Sequence, residues 1–432
     1  MAMSVIGLII TIAVYIILMY RGLSPILVAP ICSVLLALFS GVNAYTVLTG
    51  AFAAGFGGTV TAIGLMFIGS TFFGSVMAKA GASEAIALWI ADHMNVKKCT
   101  WALVIASTIM SYGGMSFGGY IVIYPIALIL CEKANYNKGI IMGAVLCGAW
   151  TYSMTGPWSP TVGNIVASQV LKVGTDAGLA ASLPACIVML LGGCIYLEWQ
   201  AKKWEKKGRI FDSAEELKTY EVPDRTKLPN VFQSVLPIIV AIILFNVFKI
   251  SLGVALFLAG MVAIALMWNR FKPGQWMVLA SEGCKDGIMP TCNLAIVGGF
   301  SAVMKVTPIF TFITNFLSTS TLNPYFVSAI AGTIFAFCLG SCSNAVNMLM
   351  NTIPQVFLDY GAKGFDMGNI MRLLNQGAGG ASIMPHAGSM ATMNAIMHTN
   401  FKESYFPVFI TCVIIPLACT YLINLPLVLL GL

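Results

Sequence analysis

The chain has 432 residues, of which 58% are hydrophobic and only 9% are charged, and its formal net charge is +7. A soluble domain usually carries about a quarter of its residues as charges, so this composition excludes a water-soluble globular protein. Apolar stretches recur from Val5 to Leu429, which predicts a multi-pass membrane protein. The basic residues lie between these stretches, so they indicate topology rather than nucleic-acid binding.

In chain order, the apolar stretches predict ten membrane spans, two of them interrupted. They cover residues 4–20, 24–41, 58–81, 138–173 (interrupted), 178–199, 231–249, 251–269, 287–305, 367–399 (interrupted) and 406–430. A polar segment at residues 200–230 separates the first five from the last five. It holds eight of the 23 basic residues, so the positive-inside rule places it in the cytoplasm.

Two further apolar pieces, at about 100–131 and 324–358, carry small and polar residues at their centres. A continuous helix avoids so many helix-breaking residues, so each piece is predicted to form two half-length helices joined by a tight turn. The basic residues between the spans fall on the cytoplasmic side throughout if each pair of half-helices enters and leaves on one face of the membrane. The pieces would then be re-entrant hairpins, the first from the cytoplasm and the second from outside. One kinked spanning helix in each place is the alternative.

The two halves of the chain resemble each other in order. Matching positions are residues 73–79 with 300–305, Thr108-Ile109 with Thr333-Ile334, Ser159 with Ser389, and Asn164 with Asn394. Five spans per half is an odd number, so the copies would be inverted. The predicted fold is an all-α membrane protein of two inverted repeats, residues 1–199 and 231–432, with about ten transmembrane helices and two re-entrant helical hairpins. Chance similarity between low-complexity apolar sequences is the alternative.

Four interruptions fall within apolar sequence: the two hairpin tips, Thr151–Pro160 and Gly377–Gly388. An interrupted helix persists in lipid only where a cavity or a ligand satisfies its free backbone groups. Free N–H groups at helix N-termini suit a carboxylate. The candidate substrate ligands at these interruptions are Ser111, Gly114, Ser116, Thr155, Ser159, Asn164, Ser341, Ser343, Asn344, Ser382, His386, Ser389 and Asn394. For any single serine, a helix cap or an interhelical hydrogen bond is the alternative.

The ionisable side chains within apolar sequence are few. His386 lies inside the second interrupted span and is a candidate proton carrier or substrate donor, and with Asn344 and Asn164 it forms the candidate cation-coupling set. A neutral histidine satisfied by a backbone carbonyl is the alternative. Arg372 is expected at an outer helix end, with its head group reaching the surface. The sequence has no nucleophilic triad, metal-ligand cluster or nucleotide-binding loop, which disfavours a membrane-embedded enzyme and a self-contained primary pump.

Several segments resemble the gluconate permease (GntP) family of the ion transporter superfamily. The similar segments run in order over nearly the whole chain: Gly55–Leu65, Phe73–Lys79 with Gly81, Gly118–Pro125, Ala295–Phe300, Gly340-Ser341, Gly377–Ser382 and Pro385-His386. The resemblance implies a cation-coupled symporter of the bacterial inner membrane for small hydroxy-carboxylates. It also implies a scaffold domain, a moving transport domain and a homodimer that works by an elevator motion. No cofactor is expected beyond a co-transported proton or sodium ion.

The chain departs from the family at four places in the candidate site. Members usually have an acidic residue at Phe117, a histidine at Pro157, an arginine at Ala336 and an Asn-Asp pair at Gly388-Ser389, so only His386 is retained. A less hydroxylated monocarboxylate, held by backbone N–H groups and by serine and asparagine side chains, therefore fits the remaining chemistry. The alternatives are a carrier for an amino acid or another neutral or zwitterionic solute and, in a different class, a membrane-embedded enzyme.

Overall fold

The computed structural model describes residues 2–21, 23–93, 95–113, 117–218, 227–248 and 250–432. The residues described are mostly helical and include no β-strand. The all-α class predicted from the sequence is confirmed, whereas the inversion of the repeats and the number of spans stay predictions. Ten of the twelve cysteines are buried within the helices, as expected for thiols scattered through apolar sequence.

The first half of the chain forms helices α1 to α12. Their bounds are α1 Ala2–Tyr20, α2 Pro25–Phe39, α3 Ala44–Thr46, α4 Ala53–Lys79, α5 Ala82–Asp92, α6 Cys99–Tyr112, α7 Phe117–Ala134, α8 Gly139–Trp150, α9 Tyr152–Thr155, α10 Val162–Leu171, α11 Leu179–Lys206 and α12 Ala214–Leu217. A π-helical segment, Val47–Phe52, joins α3 to α4 without a break. A single 3-10 turn, Val96–Lys98, precedes α6.

The second half forms helices α13 to α25. Their bounds are α13 Val231–Asn246, α14 Leu252–Leu266, α15 Gln275–Asp286, α16 Ile288–Lys305, α17 Pro308–Thr319, α18 Pro324–Leu339, α19 Cys342–Thr352, α20 Pro354–Ala362, α21 Met367–Ala381, α22 Gly388–Ile396, α23 Phe401–Phe409, α24 Ile415–Cys419 and α25 Leu425–Leu429. The π-helical segments Ile410–Ile414 and Thr420–Asn424 make α23 to α25 one continuous helix.

The helices of the two halves follow one another in the same order. Each half has two apolar helices (α1–α2 and α13–α14), a long helix (α3–α4 and α15–α16) and a short helix (α5 and α17). A broken pair (α6–α7 and α18–α19), an interrupted stretch (α8–α10 and α21–α22) and a closing helix (α11 and α23–α25) then follow. This order is what the predicted repeat requires.

Four helical stretches are long and apolar enough to cross a membrane, namely Ala44–Lys79, Leu179–Lys206, Gln275–Lys305 and Phe401–Leu429. Two of these helices extend further than the spans predicted at 58–81 and 287–305. The segments missed by the prediction, 44–57 and 275–286, are rich in glycine and alanine in the first case and hold three charged residues in the second, which lowers their mean hydropathy. The other apolar helices are shorter, at 10–17 residues.

The first apolar piece, predicted at 100–131, is broken into α6 and α7. α6 ends at Tyr112, and Gly114, Met115 and Ser116 lie outside the described residues. The far ends lie side by side, because Lys97 Nζ donates a hydrogen bond to the Ala134 carbonyl over 2.7 Å. Tyr136, just after α7, also donates from its hydroxyl to the Lys97 carbonyl over 3.1 Å. The two helices therefore run antiparallel as a hairpin, and a single kinked helix is excluded.

The second apolar piece, predicted at 324–358, is broken at Gly340. This residue has a φ of 58°, a left-handed conformation that glycine adopts without steric cost. Ser341 then caps α19, since its hydroxyl oxygen accepts a hydrogen bond from the Asn344 N–H over 3.2 Å. Asp366, which caps α21, donates from its N–H to the Tyr325 hydroxyl over 2.9 Å, so the start of α18 lies beside the start of α21. The second piece is therefore two helices joined at Gly340, and its hairpin geometry stays a prediction.

Each hairpin is held against a neighbouring helix by glycines that let two backbones touch. A Cβ on Gly148 of α8 would collide with the Val104 carbonyl of α6, and a Cβ on Gly332 of α18 would collide with the Leu374 carbonyl of α21. In membrane proteins, small residues allow the backbones of two neighbouring helices to approach this closely. These contacts fix where the hairpin tips lie relative to the interrupted stretches that follow α8 and α21.

Candidate functional site

A cavity of about 150 Å³ lies where both hairpin tips meet both interrupted stretches. The residues that line it come from the first tip (Ser111), the second tip (Gly340, Ser341, Cys342, Ser343, Asn344), the first interruption (Met154, Pro160, Thr161, Val162) and the second interruption (Ser382, Ile383, Ser389). All four places where the sequence predicts a break therefore contribute to one cavity.

The predicted ligands divide into two groups. Those that line the cavity are Ser111, Ser341, Ser343, Asn344, Ser382 and Ser389. Those that are buried but do not line it are Thr155, Ser159, Asn164, His386 and Asn394. Gly114 and Ser116 fall outside the described residues. The structure thus gathers six of the candidates around one space, and their role as ligands stays a prediction.

The rest of the wall comes from residues that the sequence did not single out. It consists of Ile63, Met66, Phe67 and Ser70 of α4, Tyr120 of α7, Ala149 and Trp150 of α8, and Leu252 of α14. Tyr120 and Trp150 contact each other edge to face, with ring centroids 6.0 Å apart. An aromatic residue in an apolar helix carries no signal of its own, so only the tertiary contacts could identify this face of the site.

The cavity wall is largely apolar, and the polar groups of the described residues that line it carry no formal charge. None of the described residues that line it is Asp, Glu, Lys, Arg or His. Its polar groups are hydroxyls, an asparagine amide and free backbone N–H groups. This agrees with a site that lacks the charges expected of the resembled family.

Three helices begin at the cavity wall: α10, α19 and α22. Their first turns contribute Val162, Cys342 and Ser389 to the lining. No side chain caps α10 or α22, so backbone N–H groups of their first turns are left without a side-chain acceptor. Converging N-termini place partial positive charge around the cavity, an arrangement that suits an anion.

The polar residues of the first interruption bind their own backbone. The Asn164 Nδ2 donates to the Met154 carbonyl over 2.9 Å and to Thr161 Oγ1 over 3.2 Å. Thr155 donates to the Thr151 carbonyl, and Ser159 donates to the Met154 carbonyl, both over 3.1 Å. These side chains replace the helical hydrogen bonds that the interruption removes, so they hold the break in shape.

Arg372 of α21 is a correction to the sequence analysis. It was expected to reach the surface, but it is fully buried, with 0% of its area exposed. Its Nη1 donates to the Thr155 carbonyl over 3.0 Å, to the Gly156 carbonyl over 2.9 Å and to Asn164 Oδ1 over 2.9 Å. Carbonyls of the loop that follows α10 cover the rest of the guanidinium, because this loop folds back over α21.

His386 lies behind the second tip rather than in the cavity. Its ring stands edge-on to Tyr15 and Phe337, with centroids 6.0 and 6.2 Å away, and only 4% of the residue is exposed. Neither ring nitrogen has a hydrogen-bond partner among the described residues, although the ring approaches the Phe337 backbone. A Cβ on Gly340 would lie 3.0 Å from His386 Cδ2, so the imidazole packs directly on the tip.

Asn394 occupies the position in the second interruption that Asn164 has in the first. Its Oδ1 accepts hydrogen bonds from Thr399 Oγ1 over 3.1 Å and from Ser404 Oγ over 3.2 Å. No arginine is among these partners, so the two interruptions are stabilised by different means.

Comparison with known proteins identifies the family. A family model described as GntP family permease matches residues 3–252, more than half of the chain. The chain belongs to the GntP permease family. It is 23% identical to "Uncharacterized transporter YxjC" of Bacillus subtilis (strain 168), over 90% of this chain and 92% of that protein. It is 21% identical to "Gluconate permease" of Bacillus licheniformis, over 67% of this chain and 70% of that protein.

Membership of the GntP family makes this chain a multi-pass membrane permease for a small molecule, and a transporter rather than an enzyme. The region that matches the GntP model holds the first hairpin and the first interruption, with Ser111 and Asn164. The second tip and His386 lie beyond that region, within the longer similarity to the Bacillus subtilis transporter.

Proposed function

We propose that this permease is a secondary active transporter that imports a small organic acid anion together with a proton or a sodium ion. The observation that carries the proposal is the cavity between the two tips, where three helix N-termini converge on a wall of hydroxyl and amide groups. Such a wall offers a carboxylate hydrogen-bond donors and partial positive charge without a fixed ion pair, so the bound anion can also leave.

The size of the cavity supports a simple monocarboxylate over a sugar acid. A protein cavity of about 150 Å³ holds benzene, a molecule of six heavy atoms. Lactate also has six heavy atoms, whereas gluconate has about twice as many. The apolar side of the wall, with Tyr120 and Trp150, suits the short carbon chain of such an acid.

The wider mechanism is also part of the proposal. The hairpins would be re-entrant and the repeats inverted, with residues 200–230 in the cytoplasm of a bacterial cell. A homodimer would carry the cavity across the inner membrane by an elevator motion. The contact of Lys97 with Ala134 at the ends of the first hairpin, the break of the second piece at Gly340 and the matching helix order of the halves support this architecture.

Uptake into proteoliposomes tests the proposed function. The purified chain is expected to accumulate labelled lactate or glycolate when a proton or sodium gradient is imposed, and to accumulate neutral amino acids poorly. Liposomes without protein, and liposomes with both gradients collapsed, are the controls. Accumulation of an amino acid without any acid would support the carrier for a zwitterionic solute, which the uncharged wall also admits, and would contradict the proposal.

Cation coupling is assigned to His386, Asn344 and Asn164. If protons are coupled, His386→Gln is expected to abolish accumulation driven by a pH gradient, because glutamine keeps the polarity of the ring but cannot carry a proton. Exchange of labelled for unlabelled substrate across the membrane, which needs no gradient, is expected to continue.

His93→Gln is the matched control for this experiment, since His93 is an exposed histidine at the end of α5. Full pH-driven accumulation by His386→Gln would exclude His386 as the proton carrier. A sodium site at Asn344 would then be the remaining hypothesis.

A further inference from the structure

The fully buried Arg372 has no carboxylate partner in the described part of the chain. Its guanidinium donates only to uncharged oxygens: those of Thr155, Gly156, Asn164, Thr175 and Ala177. The ion pairs found among the described residues do not include it. Burial of a charge inside a membrane protein without a counter-ion is energetically costly, and such residues are usually functional.

Arg372 lies one layer behind the cavity wall. Its Nη1 binds Asn164 Oδ1 over 2.9 Å, and the Asn164 Nδ2 binds Thr161 Oγ1 over 3.2 Å. Thr161 lines the cavity and immediately precedes α10. Two hydrogen bonds therefore connect the guanidinium to a side chain of the cavity wall, and Asn164 lies in the first turn of the helix whose N-terminus is at that wall.

Among the described residues, no charged side chain lies in the wall between Arg372 and the cavity to offset the positive charge of the guanidinium. Asp176, which lies on the loop beside Arg372, is exposed to solvent and beyond ion-pair distance. In a surrounding of low dielectric constant, a unit charge acts over several ångströms. The positive charge of Arg372 thus adds to the positive end of α10.

We propose that Arg372 is the residue that makes the cavity select a carboxylate over a neutral solute of the same shape. It acts through Asn164 and the N-terminus of α10 and does not touch the substrate. This inference rests on the proposed function, because it assumes that the cavity binds a small organic acid. Arg372 is therefore a specificity-determining and positioning residue.

A purely structural clamp is the rival explanation, since the same hydrogen bonds hold the first interruption in shape. The two roles predict different results for an acid and its amide. Loss of a clamp distorts the cavity and weakens the binding of both compounds alike. Loss of the charge weakens the binding of the acid and leaves that of the amide nearly unchanged.

The test measures the affinities of lactate and lactamide for the purified full-length protein by isothermal titration calorimetry, with glycolate and glycolamide as a second pair. Arg372→Gln is expected to lower the acid-to-amide affinity ratio by about tenfold or more, from the Coulomb energy at an effective dielectric constant near 20. Arg372→Lys keeps the charge and is expected to keep most of the ratio, although both compounds bind more weakly.

In the Arg372→Lys variant, a change of pH removes the charge of the side chain without a further change of sequence. As the pH rises, a buried lysine loses its proton while arginine stays charged, so the ratio is expected to fall with pH in Arg372→Lys and not in the wild type. The other titratable groups near the guanidinium are Tyr112, Cys186 and Asp176. They are present in both proteins, so the wild type controls for them. This measurement also serves if Arg372→Gln does not fold.

Arg209→Gln is the matched control. Arg209 also donates to an asparagine oxygen, that of Asn137 over 3.1 Å, and to a backbone carbonyl, that of Glu403 over 3.3 Å, but it is not among the residues that line the cavity. Its loss is expected to leave the ratio unchanged. Equal weakening of acid and amide by Arg372→Gln, or a ratio in Arg372→Lys that does not change with pH, would overturn the inference. A wild type that binds amides but no acid would overturn the proposed function first.

Discussion

Asn344→Ala is expected to abolish uptake at low substrate concentration and to raise the KM for transport by about 10- to 100-fold, the effect of losing a hydrogen bond to a charged group. Asn344 lies in the first turn of α19 and lines the cavity, and its backbone N–H is capped by Ser341. Alanine is a good helix former, so the helix and its cap remain. The change therefore removes the amide from the wall and leaves the tip in place.

Two further variants sharpen this prediction. Asn344→Asp keeps the size of the side chain but adds a negative charge that repels an anion, so it is expected to impair acid uptake at least as strongly as alanine. Asn315→Ala, at an exposed position on α17, is the control and is expected to transport normally. Wild-type uptake by both Asn344 variants would remove Asn344 from the site.

Asn164→Ala is expected to abolish uptake as well, but for a different reason. The change removes the Asn164 contacts with Met154, Thr161 and Arg372, so both the first interruption and the guanidinium lose partners. We therefore expect Asn164→Ala to lower the melting temperature in addition to abolishing transport, and to lower it by more than Asn344→Ala does. Thermal unfolding of both variants, followed by intrinsic fluorescence, distinguishes them.

Gly332→Val is expected to prevent the protein from folding correctly. A side chain at this position meets the backbone of α21, namely the Leu374 carbonyl and the Ala378 nitrogen, the latter 3.0 Å from the added Cβ. Backbone cannot move aside as a flexible side chain can, so α18 and α21 must separate. Overpacking of this kind costs about 1–3 kcal/mol and occasionally more, which exceeds the roughly 0.5–1 kcal/mol gained by removing a glycine from a helix.

Gly57→Val is the matched control, because a Cβ on this glycine of α4 has nothing within 4 Å. The measurement is the yield of monodisperse protein in size-exclusion chromatography, followed by its melting temperature. We expect Gly57→Val to behave like the wild type and Gly332→Val to aggregate or to melt much earlier. Similar behaviour of the two variants would show that the close approach of α18 and α21 is not essential.

Local sequence was enough to locate the helix breaks. Gly340 and the small residues around Ser111 interrupt helices for reasons of backbone conformation, which act over a few residues and can be read from the sequence. The extent of the long helices was harder to predict, since the last turns of α15 contain Glu282, Lys285 and Asp286 and resemble a loop in a hydropathy average.

Tertiary contacts determine the parts of the site that the sequence did not reveal. Which of Asn164 and Asn344 faces the cavity depends on the rotation of α10 and α19 about their axes, which packing sets. The burial of Arg372 depends on carbonyls from a loop about 200 residues earlier in the chain, and no local pattern points to it. The spacing of Arg372, Asn375 and Gln376 on one face of α21 was the signal that could have suggested an interior polar face.

The contact between Gly340 and His386 links the position of the second hairpin tip to the solvent accessibility of the imidazole. The tip residue and the imidazole share one wall, with the glycine on the cavity side and the ring on the other. Lifting the tip to release the solute would uncover the buried ring and let water reach its nitrogens. The rate of chemical labelling of His386 would then measure the fraction of time that the second tip is displaced.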